Sequence, residues 1–182
     1  MDFSGRIFYN FETYDVWRVY STALKASQVK GVNVALDWQE FLVTDVGPSD
    51  IPAKVRALAA CAAVRDAQPD KHQLFVRALM TLVYQEKDHP GKDATLAVAA
   101  HVAGIDGDEV IARAIEPGLE LLREATAKAR ELGVSDVPTI VRQGPPVYIK
   151  TTGAANYGDS VARLELINRM LDDDGIWAMS KP

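Results

Sequence analysis

The sequence predicts an α/β protein in which one sheet, built from both ends of the chain, is interrupted by an all-helical segment. Three observations predict it. Strand, helix and strand signals follow one another through the first 40 of 182 residues; only helical signals run from Ile51 to about Leu132; strand signals return after Gly133 and close on a helix. Neither end can bury a sheet alone, so the two ends are expected to share one. The expected division is 1–50 plus 133–182 for the sheet domain and 51–132 for the helical insertion.

Residues 5–11, GRIFYNF, carry the β-prone Ile7, Phe8, Tyr9 and Phe11 and read as a strand. In TYDVWRVYSTALKASQVKG the apolar positions Val16, Val19, Tyr20, Ala23 and Leu24 recur at helical spacing and stop at Gly31. VNVALDW then alternates, with Val32, Val34, Leu36 and Trp38 on one face and Asn33 and Asp37 on the other. Five helices follow. IPAKVRALAACAAVRDAQ has proline in its first turn, DKHQLFVRALMTLVYQEKD stops before HPGKD, and ATLAVAAHVAG ends on Gly104. DGDEVIARAIE opens on an acidic cap, and PGLELLREATAKARELG runs from a proline start to a glycine stop. PTIV and PVYIK are two short strands around RQGPP, a hairpin connection. YGDSVARLELINRMLDD is a last amphipathic helix burying Val161, Leu164, Ile167 and Leu171.

Composition excludes several classes of function. Hydrophobic residues make up 48 %, charged residues 25 %, and the formal net charge is −5, so the basic face of a nucleic-acid binder is not expected. No apolar run approaches the roughly 20 residues needed to span a bilayer, and MDFSGRIFYNF lacks a secretory signal pattern. A soluble, cytoplasmic protein with a small-molecule or protein partner is expected. The single cysteine, Cys61, allows no intrachain disulfide and sits in the apolar run LAACAAV, as a small buried residue would. His72, His89 and His101 show no zinc-ligand spacing, and DDD at 172–174 reads as a solvated helix end, so no metal site is expected. The tail GIWAMSKP, with Ile176, Trp177 and Met179, is expected to pack on the domain or on a partner subunit.

The order β-α-β, helices, β-β-α resembles the thioredoxin layout with the insertion characteristic of DsbA-like proteins. GVSDVPTIV is similar to the segment that carries the cis-proline of that family, which would be Pro138. TTGAANYGDSVARLELI resembles its Gly-Ala turn into the last helix, and VALDWQEFLV its second strand. DKHQLFVRALMTLVYQEKD with TLAVAAHVAGIDGDEVIARAI is similar to the insertion of the branch that holds FrnE-type oxidoreductases, 2-hydroxychromene-2-carboxylate isomerases and kappa-class glutathione transferases. With Asn10 at the polar strand-end position, Thr13-Tyr14-Asp15-Val16 falls where the family has C-P-x-C or S-P-x-S, and Trp17 falls on a usual aromatic. Both cysteines are missing. Disulfide exchange requires an attacking thiolate, which neither Thr13 nor Val16 supplies.

The resemblance implies a site at the start of the first long helix, where unpaired N–H groups and the helix dipole favour an anion. Thr13 would orient a thiol as the catalytic residue; as a residue in its own right it is an ordinary N-cap. Val137 and Thr139 would flank the cis Pro138, with the backbone of Val137 pairing to a ligand. Asn10, Tyr14, Asp15, Trp17 and Arg18 would complete the ligand-binding set. Asp15 suits the helix dipole but repels a thiolate; Arg18 reads as a carboxylate ligand or a surface arginine, and Trp17 as a pocket wall or a core residue.

Two functions follow from this, and a third is kept in view. The first is an isomerase- or transferase-type protein binding a low-molecular-weight thiol, glutathione or mycothiol, with an apolar or aromatic co-substrate between sheet and insertion. The second is a non-catalytic module that binds a peptide or protein. A thiol-disulfide oxidoreductase would need Cys61 at Pro138. A homodimer is expected by analogy with relatives.

Overall fold

The computed structural model describes residues 1–47, 50–142, 146–149 and 160–172, apart from the side chains of residues 170 and 172. The RQGPP turn, the Gly-Ala turn at 151–159, the last two acids of DDD and the tail with Trp177 lie wholly or largely outside them.

Strand β1 (Asp2–Tyr9) leads through a short loop to α1 (Tyr14–Ser27) and back to β2 (Asn33–Glu40), which runs parallel to β1 over its whole length. The helical segment comprises α2 (Ala53–Ala67), α3 (Pro69–Tyr84), α4 (Asp93–Ala103), α5 (Gly107–Arg113) and α6 (Gly118–Glu131). Strands β3 (Thr139–Val141) and β4 (Val147–Tyr148) and helix α7 (Ser160–Asp172) follow. The sheet order is β2-β1-β3-β4, with β3 antiparallel to β1. The two ends of the chain therefore do share one sheet. α7 packs on α1, while α2 packs on α6 and α3 on α4.

Strand β1 is shifted from the 5–11 expectation. It starts at Asp2 and ends at Tyr9, because the Asn10 carboxamide oxygen accepts the Glu12 N–H at 2.9 Å and turns the backbone out of the ladder. Phe11 stays buried without being in the strand. β4 is likewise shorter than PVYIK. In β2 the alternation holds: Trp38 and Glu40 are buried on one face while Asp37 is exposed on the other.

Helix ends follow local chemistry. Gly104 closes α4 at φ 67°, a left-handed conformation open to glycine, and the Asp106 carboxylate accepts the Asp108 and Glu109 N–H groups at the start of α5. Gly118 opens α6 against α2. A Cβ there would lie 2.6 Å from both the Ala59 and Arg113 carbonyl oxygens, so the close approach of the two helices requires glycine. One continuous core joins sheet and insertion, from Phe3, Ile7 and Tyr9 through Leu58 and Cys61 to Phe75, Leu79 and Leu122. Among the described residues no helix is long and apolar enough to cross a membrane.

Candidate functional site

The strand register brings the expected site residues to one end of the sheet. Phe8 lies opposite Thr139, so Pro138 follows at the level of Tyr9, from which the chain runs through residues 10–13 into α1. The Val137–Pro138 peptide bond is cis, as is Glu116–Pro117 before α6. Pro138 sits one residue before β3 and withholds no donor from the ladder; its carbonyl accepts the Ile149 N–H at 2.8 Å.

Thr13 is the N-cap of α1. Its backbone is extended, at φ −107° and ψ 136°, and its hydroxyl oxygen accepts the Asp15 N–H at 3.2 Å. The threonine carbonyl accepts from the Tyr84 hydroxyl at 3.1 Å, a bond from the end of α3. Tyr84 also stacks on Trp17, with centroids 5.6 Å apart, and meets Tyr14 edge-on at 5.8 Å. Trp17 stacks in turn on Tyr20, Tyr20 meets Trp38 edge-on, and Trp38 meets Tyr9. An unbroken aromatic series thus joins the sheet, α1 and the insertion. Trp17 is a core residue within it. Burial, with the neighbouring Tyr14, raises the Tyr84 hydroxyl far above its ordinary pKa, so it remains a donor.

The charged residues at this end pair locally. Arg18 bonds the Asp15 carboxylate at 3.2 Å, and its guanidinium lies 5.3 Å from the Tyr14 ring centroid. Lys87 lies over the same ring at 5.9 Å. On the proline side, the Val137 N–H donates to Asp136 Oδ1 at 2.8 Å and the Thr139 hydroxyl donates to the Asp136 carbonyl at 2.6 Å. Tyr148 in β4 is raised above its ordinary pKa by burial, then by the charges of Asp136 and Asp15. Tyr14 and Tyr148 remain 49 % and 41 % exposed and form the accessible rim.

Asn10, Thr13, Tyr14, Asp15, Trp17 and Arg18 are therefore grouped at the head of α1, and Val137, Pro138 and Thr139 lie on the adjoining segment. Sequence reasoning missed Tyr84, Asp136 and Tyr148, the groups that engage them.

Beneath this end lies a second polar group that sequence reasoning also missed. Glu40, fully buried, accepts from the Tyr9 hydroxyl at 3.2 Å, bonds His72 Nε2 at 2.6 Å, and has Arg65 Nη1 2.7 Å from its other oxygen. Burial pushes the Glu40 carboxyl up, but the His72 bond and the His72 and Arg65 charges outweigh it and leave the value below the ordinary one. His72, which reads in sequence as a helix residue among apolar neighbours, faces this carboxylate. Cys61 is wholly buried beside the Tyr9 hydroxyl; burial, then the Glu40 charge, push its thiol well above the ordinary value. Such a thiol is a poor nucleophile. Among the described residues no group of three or more His, Cys, Asp or Glu is placed to hold a metal.

No family model matches the chain, and no curated protein matches it. Solved structures do. A 2-hydroxychromene-2-carboxylate isomerase superposes with a TM-score of 0.64 at 14 % identity, covering 92 % of this chain and 94 % of its own. The cytosolic disulfide reductase DsbM of Pseudomonas aeruginosa, solved with GSH, gives 0.55 at 16 % identity, covering 93 % and 99 %. The oxidoreductase NmDsbA1 of N. meningitidis gives 0.55 at 13 %, covering 93 % and 83 %. What these similarities carry is the fold.

Proposed function

From the premise of a DsbA-like thioredoxin fold, we propose that this protein is a non-catalytic binding module. Its recognition surface is the aromatic rim of Tyr14 and Tyr148 beside Val137–Pro138, and its ligand is a peptide segment of a partner protein. The observation that carries this reading is the engagement of Thr13 by Tyr84: the insertion reaches over the head of α1, bonds the threonine carbonyl and stacks on Trp17. The groups that would serve a bound thiol already hold partners within the protein. The Thr13 hydroxyl oxygen caps the helix and the Val137 N–H is taken by Asp136. Asp15 and Asp136 make the neighbourhood unfavourable for a thiolate that itself carries carboxylates. Two exposed tyrosines suit protein recognition, because an aromatic ring with a polar tip supplies contact area at small entropic cost.

A displayed peptide library selected on the protein tests this reading. Selected peptides are expected to lose binding by about tenfold in Tyr148→Ala or Tyr14→Ala, as interface tyrosines do. Failure to select any peptide dependent on either tyrosine defeats it.

The thiol-binding reading keeps one observation in its favour. The Thr13 hydroxyl serves as an acceptor in its cap bond, so its own proton is left for donation to a sulfur anion. Calorimetric titration with reduced glutathione and with mycothiol decides it. Binding at about 1 mM or tighter that is lost in Thr13→Val would reinstate an isomerase- or transferase-type protein. Insulin reduction is expected to be absent in either case, because the one thiol of the chain is buried away from the rim.

A further inference from the structure

The rings that join the sheet to α1 and the insertion share one chemistry. From Tyr9 the series runs through Trp38, Tyr20, Trp17 and Tyr84 to Tyr14, with successive ring centroids 5.7, 5.3, 5.5, 5.6 and 5.8 Å apart. Exposure rises along it, from 0 % at Tyr9 through 6, 7 and 9 % at Trp38, Tyr20 and Trp17 to 49 % at Tyr14, with Tyr84 half-buried just before the end. We propose that this series is a one-electron relay, which moves an oxidation suffered in the buried joint between sheet and insertion out to the phenol of Tyr14.

Packing alone does not account for the composition of the series. Every member is tyrosine or tryptophan, the aromatic side chains that a one-electron oxidant attacks. None of the five phenylalanines of the chain stands in it, although all five are buried in the same core. Tyr20 makes the point most directly. Its hydroxyl is buried and, among the described residues, has no hydrogen-bond partner, whereas a buried tyrosine usually finds one. Phenylalanine there would fill nearly the same volume without burying an unpaired polar group, which costs stability.

Protons decide where the oxidation comes to rest. At the inner end the Tyr9 hydroxyl donates to Glu40 Oε1 at 3.2 Å, so the oxidised ring passes its phenolic proton to that carboxylate and recovers it when an electron returns. A radical oxidant such as the carbonate radical thus takes one electron from Tyr9 while the proton moves to Glu40. Trp38 then supplies an electron to the Tyr9 ring, Tyr20 supplies one to Trp38, and the vacancy travels outward. Tyr20 has no acceptor for its proton, and the Tyr84 hydroxyl donates to the Thr13 carbonyl, too weak a base to keep one. Neither retains the oxidation. Tyr14 faces water: its ring gives up the last electron and its phenolic proton goes to solvent, leaving a neutral phenoxyl radical. Across the whole sequence the oxidant gains one electron, Tyr14 loses one electron and one proton, and the inner rings and Glu40 end as they began.

Flash photolysis of the full-length protein tests this in a Trp177→Phe background, which leaves Trp17 and Trp38 as its tryptophans. Light absorbed by tryptophan alone ejects an electron, and hexaamminecobalt(III) in solution takes it irreversibly and is reduced to cobalt(II). The tryptophan radical signal should give way to that of a phenoxyl radical, and the tyrosine oxidation products, dityrosine among them, should map to Tyr14 by peptide mass spectrometry. In Tyr14→Phe the tryptophan radical should persist and that product should be lost. Trp17→Phe leaves Trp38 as the single source and opens a gap in the series, so the tryptophan signal should be long-lived and the Tyr14 product lost. Tyr20→Phe keeps the ring and should trap the share of radicals formed on Trp38 without lowering the urea midpoint, a result that a packing role for Tyr20 does not produce. It carries the test should Trp17→Phe fail to fold by circular dichroism. Oxidation products that map away from Tyr14 in the parent protein, a Tyr14 product undiminished in Trp17→Phe, or a tryptophan decay unchanged in Tyr20→Phe would each overturn the proposal.

Discussion

At the head of α1 the polar side chains bond close neighbours in sequence: Thr13 with Asp15, Asp15 with Arg18, Asp136 with Val137. In the cluster beneath it, Glu40 bonds Tyr9 and His72 across 31 and 32 positions, from two different layers of the fold. The first kind of bond shapes a helix end or a turn and survives with that local structure. Of the second kind, the Tyr9 bond joins paired positions of β1 and β2, while the His72 bond exists only when the insertion is seated on the sheet and holds charge where water cannot reach. Those side-chain bonds at the head of α1 are local, with the Tyr84 hydroxyl on the Thr13 carbonyl as a long-range bond beside them, whereas the bonds of Glu40 serve the buried joint between sheet and insertion.

The largest effect that can break this contrast is removal of Glu40. Glu40→Ala leaves the Tyr9 hydroxyl and His72 buried without their acceptor and Arg65 without its counter-charge. Deleting one member of a buried ion pair costs about 3–5 kcal/mol. Urea unfolding should show it as a lowered midpoint with little change in slope. A loss below about 1 kcal/mol, the range of an exposed pair, would make the cluster no more structural than the surface pairs.

Titration sharpens the same point. The folded Glu40 carboxyl lies below its ordinary value, so the fold favours its ionised form. Its contribution is complete above the unfolded value, near pH 4.3, and is lost as pH falls through the lower folded value. Comparing urea midpoints of the wild type and Glu40→Gln between pH 6 and pH 3 isolates this. The stability gap should narrow as pH falls, and a gap constant over that range would contradict the ionised assignment.

Tyr84→Phe should have an intermediate effect. It keeps the stacking on Trp17 and loses the bond to the Thr13 carbonyl, for a cost of about 0.5–1.5 kcal/mol in the unfolding free energy. Tyr84→Ala goes further by removing the ring that covers the head of α1. Glutathione binding that appears in Tyr84→Ala and is absent from the wild type would identify Tyr84 as the group that occludes an otherwise intact thiol site.

Much of this architecture was legible in the sequence because it depends on local pattern. Helical spacing, the glycine stop at Gly104, the acidic cap at Asp106 and the alternation of β2 each rest on residues within a few positions of one another. The end of β1 was misjudged because Phe11 is β-prone and buried, yet the Asn10 side chain turns the chain before reaching it. At the site, resemblance pointed to Thr13 and Pro138, but the group that engages Thr13, Tyr84, comes from the distant end of α3 with no spacing rule to connect the two. Glu40 did leave a signal. It continues the parity of Leu36 and Trp38, so β2 places a carboxylate on the buried face, where an ionised group requires a partner. That partner could not be named, since His72 shares no motif with it.

Thr13 itself gives the smallest expected effect and the most direct view of what the helix head does. Thr13→Ala removes the oxygen that accepts the Asp15 N–H, and loss of such a cap costs about 1 kcal/mol. Thr13→Ser keeps the oxygen and should restore most of the stability. Thr13→Val keeps the shape and loses the oxygen, so it should resemble alanine. If threonine is only a cap, all three variants will bind selected peptides like the wild type and will follow this order in urea midpoint alone. If the hydroxyl also serves a sulfur ligand, serine and valine will differ in glutathione affinity as well as in stability, and that second difference is one a helix cap has no means of producing.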